Sequence, residues 1–254
     1  MALRLQELVK AHGRVAAARA RSNLSALFAW SMGEGLCEQN PVIATNNPDK
    51  NPVSRERVLS DPELAIVWHA ALSAAADDDF GKIVRLLLLT GCRRIEIGHL
   101  RWDELDFDVD VLKIPGSRTK NGRDLTLPLP APAIEILRSI PRANGATHVF
   151  GGGAGFNSWS MATTALRARI AATGIAMQPW VLHDIRRSVR TGMSKLDIEP
   201  HIAELVIGHS QKGIQAVYDK HKYERKIGQA LALWADHLGS VVEGRRRKLL
   251  AVSA

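Results

Sequence analysis

Residues 109–129 read VDVLKIPGSRTKNGRDLTLPL, and this stretch decides the class of fold. Val109 to Ile114 and Leu125 to Leu129 are β-rich runs. The turn between them, GSRTKNGR, contains Asn121-Gly122, a pair suited to the positive φ angles of a tight hairpin. On either side the pattern is helical. Upstream, Ser60 can cap a helix, with Glu63 three residues on to complete a capping box and Leu64, Val67, Trp68 and Leu72 as its apolar stripe. A second helix is expected from Phe80 to Thr90, stopped by Gly91, with a short helical turn through Leu100. Downstream the chain reads as helix apart from a short His148 to Phe150 strand. The expected class is therefore mainly α with a small antiparallel β-sheet (α+β). No internal repeat or low-complexity tract interrupts it.

Further out, Ala16 to Leu36 reads as one amphipathic helix, with Leu24, Leu27, Phe28 and Ser31 at helical spacing. Asn40 to Pro52, NPVIATNNPDKNP, reads as an extended linker, because proline lacks a donor and pushes its predecessor out of helix. These signals divide the chain into a helical segment (1–40), a linker (41–57), a main domain (58–242) and a basic flexible tail (243–254). Gly151 to Gly155 lacks the Lys-Ser/Thr of a phosphate-binding P-loop and reads as a flexible loop. Arg245-Arg-Arg-Lys248 reads as a solvated tail.

The chain has 254 residues, 34 Lys plus Arg against 26 Asp plus Glu, and a formal charge of +8. Such an excess favours a polyanionic partner, though weakly on its own. Cys37 and Cys92 stand apart without metal-ligand spacing, and suit a reducing compartment. Apolar runs such as Ile83 to Leu89 are too short to span a bilayer, and no signal-peptide core is present. The expectation is a cytoplasmic protein with no membrane association.

Four segments carry candidate chemistry. Thr90-Gly-Cys-Arg93-Arg-Ile-Glu96 places an Arg after a helix break, with Glu96 one turn on to orient it. Arg118-Thr-Lys120-Asn-Gly-Arg123 puts a Lys on a hairpin, able to reach into a cleft as a proton donor. Leu182-His183-Asp-Ile-Arg186-Arg puts an imidazole and a guanidinium on one helix face, a pairing suited to a phosphoryl centre. Val206-Ile-Gly-His209-Ser leads to Ile214-Gln-Ala-Val-Tyr218. Taken singly, each has a plainer reading: a solvated helix start, a basic surface turn, a capping His, a core Tyr.

In this order, however, the set resembles the tyrosine recombinase, or phage integrase, family. The elements are TGCRRIE with HLRWDELD, then TKNGRDLTLPLP, LHDIRRS, IGHS and a Tyr nine residues beyond His209. The resemblance reaches from about Ala16 to Leu238. The resemblance implies that Arg93 is the first catalytic Arg with Glu96 its acidic supporter, and Lys120 the hairpin Lys. It makes His183 and Arg186 the HxxR pair, His209 the second His and Tyr218 the nucleophile. Tyr223 competes for that role but lies too far beyond His209 for the pattern. YDKHKYERKIGQALALWADHL is similar to the C-terminal helical tail of integrases carried by prophages and genomic islands. On this view 58–242 is a catalytic domain and 1–40 a partial core-binding segment.

The resemblance further implies a site-specific recombinase that cuts and rejoins DNA through a 3′-phosphotyrosyl link. It implies double-stranded DNA as partner, a homo-oligomer (tetramer) on DNA, accessory DNA-bending proteins, and no cofactor or metal. Arg93 and Arg186 would hold the non-bridging oxygens and stabilise charge in the transition state. His183 would take the phenol proton, Lys120 would protonate the departing 5′-oxygen, and His209 would hydrogen-bond the phosphate. Competing readings are a type IB topoisomerase, a non-catalytic DNA-binding protein derived from an integrase, and a metal-dependent nuclease using His183, His201 and His209. The family also has a larger N-terminal helical domain that closes over the DNA. Here the stretch before the linker has room for one long helix and a short Leu3 to Val9 piece. The chain thus reads as truncated at its N-terminus, and the expectation is weak, poorly selective DNA binding.

Overall fold

A computed structural model describes residues 1–51, 55–72, 78–209 and 223–252, with side chains up to residue 244. The chain partitions into two units, Met1–Glu56 and Arg57–Ala254.

The first unit is built on helix α1 (Ala2–Gly33), which breaks at Gly13 with φ 82° and ψ 168°. The expected Ala16 to Leu36 helix is its second half, and the short Leu3 to Val9 piece lies in its first. The expected extended linker is corrected at its start. Arg21 Nη2 donates to the carbonyls of Val42 at 3.2 Å and Thr45 at 2.8 Å. Asn40 Nδ2 donates to Ser25 O at 3.0 Å. Polar residues that read as loop composition therefore pin a turn back onto α1.

In the second unit, α2 (Asp61–Ala70) starts at the anticipated capping box: Ser60 N–H donates to Glu63 Oε2 at 2.9 Å. Helix α3 (Asp79–Thr90) is the hub of the core. Its Phe80, Ile83, Val84 and Leu86 to Leu89 are all buried, a broad apolar face that leaves only Asp79, Lys82 and Arg85 partly open to water. A three-stranded antiparallel sheet follows, in the order β1 (Leu105–Asp106), β2 (Val111–Ile114), β3 (Leu125–Pro128). Register pairs Val111 with Pro128 and Ile114 with Leu125, and Leu112, Ile114, Leu125 and Leu127 are buried. The period of two that a half-covered sheet requires is thus present. Strand β1, too short to show periodicity, was not legible in the sequence.

Helices α5 (Ala131–Arg138), α6 (Trp159–Ala172), α7 (Leu182–Lys195), α8 (Pro200–Val206) and α9 (Glu224–Val252) complete the described residues, with the short α4 (Arg94–Gly98) after α3. Three expectations are corrected. The His148 to Phe150 strand reduces to one bridge, Arg101 with His148, because the chain turns away at Gly151. The glycine run is a fixed turn rather than a flexible loop: Gly151 N–H donates to Asp79 Oδ2 at 2.7 Å and Gly155 N–H to Phe150 O at 3.0 Å. The expected basic tail (243–254) continues α9, whose backbone is helical to Val252; Arg, Lys, Leu and Ala there are good helix formers. Trp234 of α9 is fully buried and donates from Nε1 to Leu88 O at 2.7 Å, locking α9 to α3.

Candidate active site

Gly91 ends α3 in the left-handed region at φ 65°, and a Cβ there would lie 3.0 Å from Val189 Cγ1. Glycine alone meets both demands at little cost. The chain turns at once into α4, flanked by Arg93. Arg93 N–H donates to Glu96 Oε2 at 2.7 Å, and Arg93 Nη1 to Oε1 at 2.6 Å. Glu96 is 2% exposed, so a carboxylate withdrawn from water holds the Arg93 backbone with one oxygen and its guanidinium, by a charge-assisted bond, with the other.

Helix α7 brings the next pair. Asp184 Oδ2 accepts from Val181 N–H at 2.9 Å, closing the first turn. His183 and Arg186, three apart, then share a face. Arg186 is 4% exposed; it donates from Nη1 to Gly91 O at 2.8 Å and from Nη2 to Ile207 O. Burial, and then the charge of Arg93, push its guanidinium down to about 10, so it stays cationic at neutral pH. His183 is exposed to solvent. The partial withdrawal of its ring from water, followed by the charges of Arg186 and Arg187, lowers it below the ordinary imidazole value. It is therefore neutral at pH 7, the state of a proton acceptor.

The hairpin supplies Lys120. Arg118 pairs with Glu104 through two bonds, Nε to Oε1 and Nη2 to Oε2, each 2.6 Å. The Thr119 hydroxyl donates to Arg123 O at 2.7 Å. These bonds stiffen the loop's base and leave Lys120 exposed at its tip, in no ion pair among the described residues. Asn121 Nδ2 reaches across to Gly208 O at 3.1 Å. There His209 Nδ1 meets Glu204 Oε2 at 2.6 Å.

Arg93, Lys120, His183 and Arg186 line one cleft of about 770 Å³. Arg94, Arg118 and Arg167 line it as well, so six Lys and Arg side chains face a single carboxylate, Glu96. His209 stands on the adjoining turn rather than in the lining, and Tyr218 lies outside the described residues. Tyr223 is not in the lining; its ring stands 5.4 Å from that of His201. His183, His201 and His209 are not gathered: among the described residues no three His, Cys, Asp or Glu side chains come together as a metal site. Cys92 lines the cleft floor, but burial pushes its thiol up to about 12, so it is no nucleophile. The sequence reading missed Arg94, stacked 5.5 Å from the Trp159 ring centre, and Arg167, bonded to Trp180 O at 2.6 Å. Nothing in their local pattern sets them apart from surface arginines.

A sequence model of the Phage integrase family matches residues 67–225, well over half the chain and every segment of the cleft. The chain belongs to the phage integrase family. Among the relatives of this integrase-family chain, prophage integrase IntA of Escherichia coli (strain K12) is 24% identical over 216 residues, 84% of this chain and 52% of that protein. The chain spans about half the length of the curated relatives it matches. Two solved structures share the fold. A lambda integrase tetramer bound to a Holliday junction gives a TM-score of 0.61 at 21% identity, covering 85% of this chain and 64% of that one. The Tn1549 transposon integrase in complex with circular intermediate DNA gives 0.60 at 16% identity, covering 87% and 78%.

Proposed function

We propose that this integrase-family chain carries the catalytic part of a site-specific DNA recombinase, working through a 3′-phosphotyrosyl intermediate. One observation carries the reading: the cleft gathers Arg93, Lys120, His183 and Arg186 from three distant segments and sets six cations against one carboxylate. A phosphodiester repels nucleophiles, and attack adds charge to its non-bridging oxygens. Arg93 and Arg186 answer that charge, each preorganised donor being worth roughly 10²- to 10³-fold in rate. The Tyr218 oxygen bonds to phosphorus while the bond to the 5′-oxygen breaks. The phenol proton passes to His183, and Lys120 protonates the departing oxygen. The new ester conserves the energy of the old one, so rejoining is the same step reversed and balances without an added cofactor.

In this reading residues 58–242 are the catalytic domain and 1–40 part of a core-binding segment. The partner is double-stranded DNA, engaged by a homotetramer as the lambda integrase is, with accessory DNA-bending proteins assisting in the cytoplasm at the nucleoid. The test is a nicked suicide substrate that traps protein on DNA. Wild-type protein and Tyr223→Phe should form the covalent adduct, and Tyr218→Phe should form none. An adduct that survives in Tyr218→Phe would overturn the assignment.

A further inference from the structure

His209 is held to Glu204 twice. Its backbone N–H donates to Glu204 O at 2.9 Å, and its Nδ1 stands 2.6 Å from Glu204 Oε2. The other carboxylate oxygen, Oε1, takes Arg190 Nε at 2.7 Å. Arg190 belongs to α7, the helix that carries His183 and Arg186. Partial burial works to raise the Glu204 carboxyl, but hydrogen bonds from Arg190 and His209 outweigh it and hold the group below its ordinary value. Glu204 is thus ionised at neutral pH. An ionised carboxylate only accepts, so Nδ1 carries the proton, and Nε2 is the nitrogen left to face a substrate.

The His209 side chain is 49% exposed, and an imidazole so open to water would otherwise sample several rotamers. A carboxylate behind the ring removes that freedom and fixes the tautomer, as it does for the His of hydrolase triads and for metal-bound His. We infer that Glu204 is a positioning residue for His209, clamping the imidazole so that Nε2 meets a non-bridging oxygen of the scissile phosphate. The chain of support runs from α7 through Arg190 to Glu204 to His209, so one helix sets the orientation of both histidines. The inference rests on the recombinase reading and adds to it a residue that touches neither DNA nor the reacting atoms.

The experiment is a double-mutant cycle on the full chain, read as the single-turnover cleavage rate at saturating protein on the suicide substrate. Glu204→Leu removes acceptors and charge; Glu204→Gln loses the charge and turns one of the two acceptor oxygens into an NH2 donor, so it can accept from only one of Arg190 and His209. With His209 present, Glu204→Leu should slow cleavage about tenfold to a hundredfold, and Glu204→Gln less, with the DNA dissociation constant unchanged. In a His209→Ala background neither substitution should slow cleavage further, because the group they position is gone. An equal loss with and without His209 would make Glu204 a buttress of the fold through Arg190 and overturn the inference. Should Glu204→Leu fail to fold, the isosteric Glu204→Gln carries the same cycle. If wild-type protein forms no Tyr218 adduct, the recombinase reading falls and this inference with it. If it does, and both Glu204 variants cleave at the wild-type rate, the inference alone falls.

Discussion

Asn121 Nδ2 donates to the Gly208 carbonyl at 3.1 Å, across 87 positions of sequence. The bond joins the neighbour of Lys120 to the neighbour of His209. The hairpin and the turn after α8 are thereby tied to each other, so the side chains proposed to act on the departing oxygen and on a non-bridging oxygen are not placed independently.

Asn121→Ala should therefore slow cleavage without harming the fold. The bond is exposed and worth about 1 kcal/mol net, which corresponds to about fivefold in rate if it acts only on the ordered cleft. Thermal melting should stay at the wild-type value while single-turnover cleavage slows. An unchanged rate would show that the hairpin orders itself without this tie.

Lys120 is proposed to hand its proton to the departing 5′-oxygen. Lys120→Ala should abolish most cleavage of ordinary DNA but cleave a substrate with a 5′-bridging sulfur at nearly the wild-type rate, since a thiolate departs without a proton. Equal defects on the oxygen and sulfur substrates would leave Lys120 a basic surface residue.

As the proposed proton acceptor, His183 would set the acid side of the pH profile. A proton acceptor must be neutral, and an imidazole held below its ordinary value stays neutral further into acid. Cleavage should hold level as pH falls through about 6.5, the ordinary imidazole value, and decline only below it. His183→Gln should slow the reaction and remove that decline. Stability moves the same way: near pH 6.5 the unfolded chain takes up a proton that the folded chain resists, so part of the folding free energy is lost as pH drops. Calorimetry across this range checks the sign.

Gly192→Ala tests the packing behind the cleft. Alanine normally favours a helix interior by about 1 kcal/mol over glycine. Here the new Cβ would sit 2.2 Å from Trp234 Cζ3, against a buried ring whose Nε1 is tied to Leu88 O. Overpacking should win, lowering stability by about 1–3 kcal/mol in urea titration.

Helix ends and strand pairing were legible because their signals are local. Ser60 with Glu63, Gly91, and the runs around Asn121-Gly122 each state their own geometry within a few residues. The candidate site was legible only as an ordered set, since Arg93, Lys120 and His183 look ordinary one by one. What stayed hidden depends on partners far along the chain. Asn40 and Thr45 read as linker until Asn40 is seen bonding to Ser25 and Arg21 to Thr45. Glu204 reads as one more helix carboxylate until His209 and Arg190 converge on it. The Gly151 turn is set by Asp79, which no window around residue 151 contains.

Arg186 spends two of its donors on the carbonyls of Gly91 and Ile207 and is almost wholly buried. Losing this arginine would cost stability whether or not the proposed chemistry is still in use, because two carbonyls would be stranded in the interior. Lys120 has no such protection, being exposed and in no ion pair among the described residues. In a lineage of decaying copies, Lys120 should drift first and Arg186 late, so the hairpin lysine is the better clock of how long the chemistry has been idle.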